Sequence, residues 1–165
     1  MKEIYIAGGC FWGVQAYFNL VKGILDTEVG YANGNLTHPT YEDLISHRAT
    51  HAETLYIKYD EKVISLETIL SHMLRFVDPT SVDKQGGDRG HQYRTGVYFN
   101  DERDEKIIDK VFCAKEKETG QKFAIEVKKM ENFYAAEDYH QDYLEKNPRG
   151  YCHVDLSLVK DNERK

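Results

Sequence analysis

Apolar positions along the chain follow two repeats, one of two residues and one of three to four, which predict short strands and helices. The most regular helix is predicted over about residues 65–77, where six apolar side chains form one stripe and Ser65 can act as the N-cap. Further helices are predicted over about 10–21, 101–118 and 135–145. Strands are predicted over 2–7, 24–31, 51–59, 95–99, 123–127 and 153–159.

Two polar segments interrupt this pattern and are predicted to be loops. Residues 32–50 are rich in turn formers, and residues 80–94 are polar with three glycines. A polar loop of that length often carries function. The mixed order of the other elements indicates an α/β fold, in the α+β sense, with helices packed on a mixed sheet. Because no internal repeat or linker is visible, a single domain over residues 1–165 is expected.

Composition and charge narrow the function classes. The net charge is −6, which argues against a nucleic-acid binder because phosphate groups need a basic face. There is neither an apolar run of membrane-spanning length nor a secretory pattern at the N-terminus. A cytoplasmic protein is therefore expected, with a monomer as the simplest assembly. The 3 cysteines form no CxxC pair, so reactive or buried thiols are expected rather than a disulfide scaffold.

Cys10 lies between the first strand and the first helix, directly after Gly8 and Gly9. A thiol on the first turn of a helix faces unpaired backbone N–H groups and the positive end of the helix dipole, which lowers its pKa and favours the reactive thiolate. A small buried hydrophobic residue is the alternative for this position. Phe11 and Trp12 are consecutive and diverge by about 100° on a helix, so at least one is expected near the surface.

The sequence GCFWG around Cys10 resembles the active-site signature of the A-type peptide methionine sulfoxide reductases. The resemblance extends from residue 2 to about residue 155, because further family-like segments follow in the same order. These segments are residues 39–42, 51–53, 88–94, 139–141 and 150–152. For the fold, the resemblance implies a two-layer sandwich with a ferredoxin-like core.

The resemblance also implies roles for the catalytic side chains. Cys10, as the thiolate, is expected to attack the sulfur of methionine sulfoxide. Glu53 is expected to protonate the departing oxygen, for which its carboxyl has to be shielded and its pKa raised. Tyr41 and Tyr93 are expected to donate phenolic hydrogen bonds to the same oxygen. Without the resemblance, a solvated glutamate and two packing tyrosines are the ordinary interpretation.

The substrate-binding residues implied by the resemblance surround that centre. Phe11 and Trp12 are expected to enclose the S-methyl group and to help select one sulfoxide epimer, the S epimer. Asp88 is expected to bind the substrate backbone, and Tyr151 is assigned to substrate binding as well. His140 is expected to orient a tyrosine or a glutamate. A turn-forming role for Asp88 and a structural role for His140 are the alternatives.

A second thiol completes the cycle that the resemblance implies. Cys10 would be left as a sulfenic acid, Cys152 would form a disulfide with it, and thioredoxin would reduce that disulfide. A buried cysteine at the start of the last strand is the alternative for Cys152. Cys113 is predicted to be an unreactive core or boundary thiol. No cofactor is implied, and free and protein-bound methionine sulfoxide both stay open as substrates.

Three other functions compete with this interpretation. His47 and His51 are four residues apart, but the glutamate of an HExxH motif is missing, so no metal is expected. A cysteine hydrolase would pair Cys10 with His140, but it would need neither the aromatic pair nor the second thiol. A non-catalytic peptide-binding module would use the polar loop and an exposed Trp12, and it leaves GGCFWG unexplained.

Overall fold

Six strands form one mixed sheet in the computed structural model, which describes residues 1–165. In chain order the strands are β1 (Lys2–Gly8), β2 (Ile24–Ala32), β3 (Ala52–Tyr59), β4 (Lys84–Gln85), β5 (Asp88–Arg89), β6 (Thr95–Phe99), β7 (Glu126–Lys129) and β8 (Phe133–Ala135). β4 and β5 form a separate hairpin, and the other six are arranged in the order β7-β6-β1-β3-β2-β8. Neighbours in this sheet are antiparallel except β6 and β7, which are parallel. The predicted mixed α/β class is therefore confirmed.

Five helices accompany the sheet. They are α1 (Phe11–Asn19), α2 (Tyr41–Ile45), α3 (Leu66–Phe76), α4 (Glu102–Thr119) and α5 (Tyr143–Lys146). α1, α3 and α4 confirm three of the predicted helices, with ends that differ by one or two residues. Ser65 caps α3 as predicted, since its hydroxyl accepts the backbone N–H of Thr68. None of the helices combines the length and the apolar character needed to cross a membrane.

The prediction of one helix over residues 135–145 is wrong. Its first residue ends β8, which pairs with β2, so the sheet takes the backbone hydrogen bonds that a helix would use. Asp138–His140 forms one 3₁₀ turn, and only α5 is α-helical. The side-chain amide of Gln141 exchanges hydrogen bonds with the backbone of Val29 in β2, which ties this stretch to the sheet edge.

The prediction of a strand over residues 153–159 is wrong as well. The chain forms 3₁₀ turns at Leu156–Leu158 and Asp161–Glu163 instead of joining the sheet. The guanidinium of Arg164 donates to two backbone carbonyls of this segment, which supplies partners that a neighbouring strand would have provided.

Both predicted loops contain short regular elements. The loop over 32–50 includes α2, which starts with a capping box between Thr40 and Asp43. The loop over 80–94 folds into the β4–β5 hairpin and a following 3₁₀ turn. The strand predicted to start at residue 123 begins only at Glu126.

Successive side chains of β3 point alternately to the two faces of the sheet. Leu55, Ile57 and Tyr59 belong to the main hydrophobic cluster, together with apolar side chains of α1 and α3. The opposite face carries a small cluster that includes Tyr5. Since side chains alternate along a strand, Glu53 has the same parity as Leu55 and lies on the helix-covered face.

The C-terminal segment is fixed to the helices by an ion pair. Arg75 of α3 donates two hydrogen bonds of 2.7 Å to the carboxylate of Glu163. The guanidinium lowers the pKa of that carboxyl to about 2, so the pair stays charged at neutral pH. The backbone carbonyl of Glu163 also accepts the N–H of Lys22, just after α1. The tail is therefore held against the end of α1.

Truncating Ile57 tests the two faces of β3. Ile57 is fully buried, and Ile57→Ala is expected to lower the free energy of unfolding by about 2–5 kcal/mol, because it removes buried apolar groups and leaves a cavity. Lys58, exposed on the opposite face, is the matched control, and its alanine variant is expected to change stability by less than about 0.5 kcal/mol. Urea denaturation followed by circular dichroism measures both values. Equal losses would contradict the assigned faces.

Candidate active site

Cys10 stands at the junction of β1 and α1. Gly9 before it has a φ of 90°, and a Cβ atom there would lie 2.6 Å from the Cβ atom of Gln85. Only glycine therefore lets the chain turn from the strand into the helix so close to the β4–β5 hairpin. Cys10 is the N-cap residue of α1 and is 8% exposed, so its thiol lies at the predicted helix start and is largely shielded from water.

The surroundings of Cys10 act in opposite directions on its pKa. Burial raises the pKa of the thiol most strongly, and the negative charge of Glu53 raises it further. The nearby backbone N–H of Trp12 lowers it, but by less than burial raises it. The prediction of a lowered pKa is therefore wrong for the substrate-free site, because this helix start lies inside the protein, where a lone charge is poorly solvated.

Glu53 presents a carboxyl group near this thiol. It is 1% exposed and lies opposite Tyr31 in the register of β3 and β2. Its Oε1 atom accepts the backbone N–H of Phe11 at 3.3 Å, whereas its Oε2 atom is buried without a partner. Burial raises the pKa of Glu53 to about 8, and the charge of Asp88 adds to the effect. The carboxyl therefore holds a proton at neutral pH.

Two phenol groups meet beside this carboxyl. Tyr41 is the first residue of α2, and Tyr93 ends the 3₁₀ turn after the β4–β5 hairpin. Burial raises the pKa of both phenols, and the nearby charge of Glu53 raises it further. Both hydroxyls therefore stay protonated at neutral pH and act as hydrogen-bond donors. The fold thus brings Cys10, Glu53 and both tyrosines together from four separate parts of the chain.

Phe11 and Trp12 diverge from α1 as predicted. Phe11 is 1% exposed, and its ring centre lies 5.8 Å from that of Tyr31. Trp12 is half-buried. Its indole N–H donates to Nδ1 of His140 at 3.0 Å, and its ring stacks on Tyr143 with the ring centres 3.7 Å apart. The indole is therefore fixed from two sides and keeps one partly exposed edge.

His140 supports this aromatic wall from behind. It is buried, and its ring lies 5.2 Å from Phe11 and 5.1 Å from Tyr41. Because the indole N–H of Trp12 can only donate, Nδ1 accepts and the proton of the neutral ring is on Nε2. Burial lowers the pKa of His140, so the ring is neutral at pH 7. Its hydrogen bond goes to the indole and not to Cys10, so the thiol–histidine pair of a cysteine hydrolase is not formed.

Asp88 and Tyr151 complete the site. Asp88 begins β5, directly after the glycine turn of the hairpin, and one of its carboxylate oxygens is buried without a partner. Its charge contributes to the raised pKa of both Cys10 and Glu53, which places it near both groups. Tyr151 is 47% exposed, and its hydroxyl accepts the backbone N–H of Gly87 at 3.3 Å.

Cys152 lies close enough to Cys10 to contribute to its raised pKa. Its thiol is half-buried and donates to the backbone carbonyl of Val154 at 3.1 Å. The next residue, His153, donates from Nε2 to the backbone carbonyl of Gly8 at 2.9 Å. The segment with the second thiol is therefore bonded directly to the end of β1.

Cys113 and the histidine pair stand apart from this group. Cys113 is exposed on α4, so the prediction of a core or boundary thiol is wrong, because α4 turns the side with Ile108 and Phe112 into the core. His51 is fully buried while His47 is exposed. No group of three histidine, cysteine, aspartate or glutamate side chains is arranged to hold a metal ion.

The sequence did not reveal three supporting residues. Glu137 accepts the hydroxyl of Tyr31 at 2.8 Å and the backbone N–H of Tyr41 at 3.2 Å, so it joins β2 to the start of α2. Tyr31 lies directly opposite Glu53 in the strand register, but this register comes from the fold and is not visible in the sequence. Glu137 and Tyr143 flank a family-like motif, but the helical pattern over residues 135–145 does not mark them as site residues.

Comparison with known proteins identifies the family of this chain. The sequence model of the family described as peptide methionine sulfoxide reductase matches residues 2–165. The peptide methionine sulfoxide reductase MsrA of Ureaplasma urealyticum is 49% identical over 160 residues, which cover 97% of this chain and 97% of that protein.

Two solved structures of a yeast protein are similar as well. The crystal structure of Mxr1 from Saccharomyces cerevisiae in reduced form superposes with a TM-score of 0.88 at 36% identity, covering 94% of this chain and 91% of that one. Mxr1 in complex with Trx2 superposes with a TM-score of 0.61 at 29% identity, covering 86% of this chain and 84% of that one. The chain therefore belongs to the peptide methionine sulfoxide reductase family, and it is an oxidoreductase that reduces methionine sulfoxide.

Proposed function

We propose that this chain reduces the S epimer of methionine sulfoxide with Cys10 as the nucleophile and Glu53 as the proton donor. The observation that carries the proposal is the buried, unpartnered Oε2 atom of a protonated Glu53 near a thiol. A buried polar atom without a partner costs free energy, so it marks a place where a ligand atom can be received. The sulfoxide oxygen fits, because it gains negative charge when its sulfur is attacked.

In the first step, the sulfur of Cys10 attacks the sulfoxide sulfur while the oxygen takes the proton of Glu53. The thiol proton passes to the carboxylate, so Glu53 is protonated again at the end. The S–S bond formed by the attack and the S–O bond of the substrate then break while the hydroxyl group moves to the sulfur of Cys10, which gives the sulfenic acid and releases the substrate as the thioether. Two electrons move from Cys10 to the substrate sulfur, and no external proton is consumed. Starting from neutral groups fits the raised pKa of both.

Tyr41 and Tyr93 stabilise the charge that develops on the oxygen. Their raised pKa keeps both hydroxyls protonated, so they act as preorganised donors in the manner of an oxyanion hole. Their proximity to Glu53 directs three hydrogen-bond donors towards one oxygen atom.

The wall formed by Phe11 and Trp12 receives the S-methyl group of the substrate. The sulfoxide sulfur is chiral. When its oxygen is bound at Glu53 and its methyl group at the wall, the rest of the methionine side chain can leave the sulfur in only one direction. One epimer therefore fits. His140 acts as a positioning residue for Trp12. Asp88 accepts a backbone N–H of the substrate, and the exposed Tyr151 contacts the substrate from the protein surface.

We further propose that Cys152 closes a disulfide with the oxidised Cys10 and that thioredoxin reduces it. Both are free thiols in the reduced protein, and Cys152 lies beside α1. The complex of the similar yeast protein Mxr1 with Trx2 supports a thioredoxin as the partner. Free and protein-bound methionine sulfoxide are both proposed as substrates.

We also infer a ferredoxin-like core within a two-layer sandwich. In support, α1 connects β1 to β2, and β3 lies between these two strands in the sheet. Likewise, α3 connects β3 to β6, and β1 lies between them. One hydrophobic cluster of 28 residues draws on most of the chain, which supports a single domain. We also propose a monomeric protein in the cytoplasm, where a reducing environment keeps thiols free.

A single turnover without reductant tests the roles of the thiols. Reduced protein given methionine sulfoxide is expected to form about one methionine per chain and a Cys10–Cys152 link, seen by mass spectrometry of non-reduced peptides. Cys10→Ser is expected to form no methionine. Cys152→Ser is expected to form one and to retain a sulfenic acid that a 1,3-dione traps. Cys113→Ser is the matched control. A link that includes Cys113, or activity in Cys10→Ser, refutes these roles.

The pH dependence of oxygen transfer tests Glu53. Because the pKa of Glu53 is about 8, the single-turnover rate constant is expected to stay nearly level between pH 6 and pH 7 and to fall as the pH rises through about 8, where the proton donor is lost. Glu53→Gln is expected to lower this rate constant by about 10²–10⁴-fold and to remove the pH dependence. Rapid-quench kinetics measures both. A wild-type rate that increases through pH 8 is incompatible with donation by neutral Glu53.

The same carboxyl is expected to destabilise the native fold. Native Glu53 stays protonated up to about pH 8, whereas an unfolded glutamate ionises near pH 4.5, so stability falls as the pH rises between these values. The cost at pH 7 is on the order of 3 kcal/mol. Glu53→Gln is therefore expected to raise the free energy of unfolding by about 1–3 kcal/mol at pH 7 and by less than about 1 kcal/mol at pH 5. Denaturant titrations at both pH values measure the free energy of unfolding, with the variant Glu118→Gln at an exposed position as the control. A stability difference between Glu53→Gln and wild type that does not change with pH contradicts the raised pKa of Glu53.

A further inference from the structure

The sulfur of Cys152 lies against the backbone of α1 at Gly13, one helical turn after Cys10. A Cβ atom at position 13 would lie 3.1 Å from Sγ of Cys152 and 3.0 Å from a methyl carbon of Val154. Both distances are shorter than the ordinary contact of about 3.5–4.0 Å between non-bonded atoms. The missing side chain of Gly13 therefore creates the space that the sulfur occupies, here called the sulfur niche.

Helix stability does not explain a glycine at this position. Gly13 is buried within α1, where glycine is less favourable than alanine by about 1 kcal/mol. Its φ is not in the left-handed region, since it is absent from the glycines with positive φ. The close approach of Cys152 and Val154 is the feature that a larger residue would disturb.

The segment that carries Cys152 is held in place directly after the cysteine. His153 is bonded to the carbonyl of Gly8, and Val154 is buried in the main hydrophobic cluster. Further along, the ion pair between Arg75 and Glu163 fixes the tail. A side chain at position 13 therefore displaces the sulfur rather than the whole segment.

We propose that Gly13 is a positioning residue for the second step of the cycle, because the sulfur niche holds Cys152 within disulfide-forming reach of Cys10. The inference rests on the proposed roles of these two cysteines. Side chains one turn apart on a helix have their Cβ atoms about 5–6 Å apart, so the sulfur that rests against position 13 lies about that far from the side chain of Cys10. A sulfur at Gly13 is therefore within range of the N-cap residue.

The chemistry of this step balances within the protein. The sulfur of Cys152 attacks the sulfenic sulfur of Cys10, the S–S bond forms and the S–O bond breaks. The hydroxyl group leaves as water with the thiol proton of Cys152. The sulfenic sulfur is reduced and the thiol sulfur is oxidised, so no further reactant is needed.

Gly13→Ala separates the two steps. Without reductant, it is expected to form about one methionine per chain at the wild-type rate, because the groups around Cys10 are unchanged. Closure of the disulfide is expected to be at least about tenfold slower, so that a 1,3-dione traps the sulfenic acid in high yield. Turnover with thioredoxin is expected to fall by the same factor. Turnover with dithiothreitol, which reduces the sulfenic acid directly, is expected to be retained.

Val154→Ala is the matched control, because it removes the other side chain that a Cβ atom at position 13 would meet and leaves the contact with Cys152. The disulfide between Cys10 and Cys152 is expected to form near the wild-type rate in Val154→Ala. It is expected to form more slowly in the double variant Gly13→Ala/Val154→Ala and most slowly in Gly13→Ala. If circular dichroism shows that Gly13→Ala does not fold, the double variant is compared with Val154→Ala, since its new Cβ atom still meets Sγ of Cys152.

Two outcomes overturn the proposal. One is closure at the wild-type rate in Gly13→Ala, or equal closure rates in the double variant and Val154→Ala. The other is a loss of methionine formation in Gly13→Ala, which would place its effect on the first step. Failure of the proposed function looks different, because wild-type protein would then form no link between Cys10 and Cys152.

Discussion

Burial of one carboxyl group is the constraint on which the site depends. The alternation of β3 places Glu53 on the helix-covered face of the sheet, where water does not solvate it. A single backbone N–H from Phe11 supports one of its oxygens, and the other has no partner. The group therefore keeps its proton, and its neutral form leaves the neighbouring thiol free of the repulsion that an ionised carboxylate would exert. The raised pKa of Glu53 and its cost to the stability of the fold both follow from this burial.

Features with a local cause were predictable from the sequence. The apolar stripe and the N-cap of α3 are properties of about a dozen consecutive residues, and the structure reproduces them. The buried face of Glu53 followed from its parity with Leu55 and Ile57. The divergence of Phe11 and Trp12 followed from helix geometry alone. In each case, neighbours in sequence determine the outcome.

Features set by distant partners were not predictable in the same way. Residues 135–145 have helical periodicity, but pairing with β2 and the hydrogen bonds of Gln141 hold part of this segment at the sheet edge. The sign of the pKa shift at Cys10 also depends on distant residues, because the strands and loops around the helix start remove its solvent. Glu137 connects residues about 100 positions away, and no local pattern marks such a residue.

The fixed indole has a consequence for how this protein is observed. The chain contains 1 tryptophan, so the long-wavelength fluorescence of the whole protein originates from Trp12, two residues after Cys10. Tyr143 stacks on that ring, and the segment before Cys152 packs on Tyr143, since a Cβ atom at Gly150 would lie 2.9 Å from it. Any movement of that segment during the redox cycle therefore alters the polarity around a single emitter, and the protein carries its own optical probe of its oxidation state.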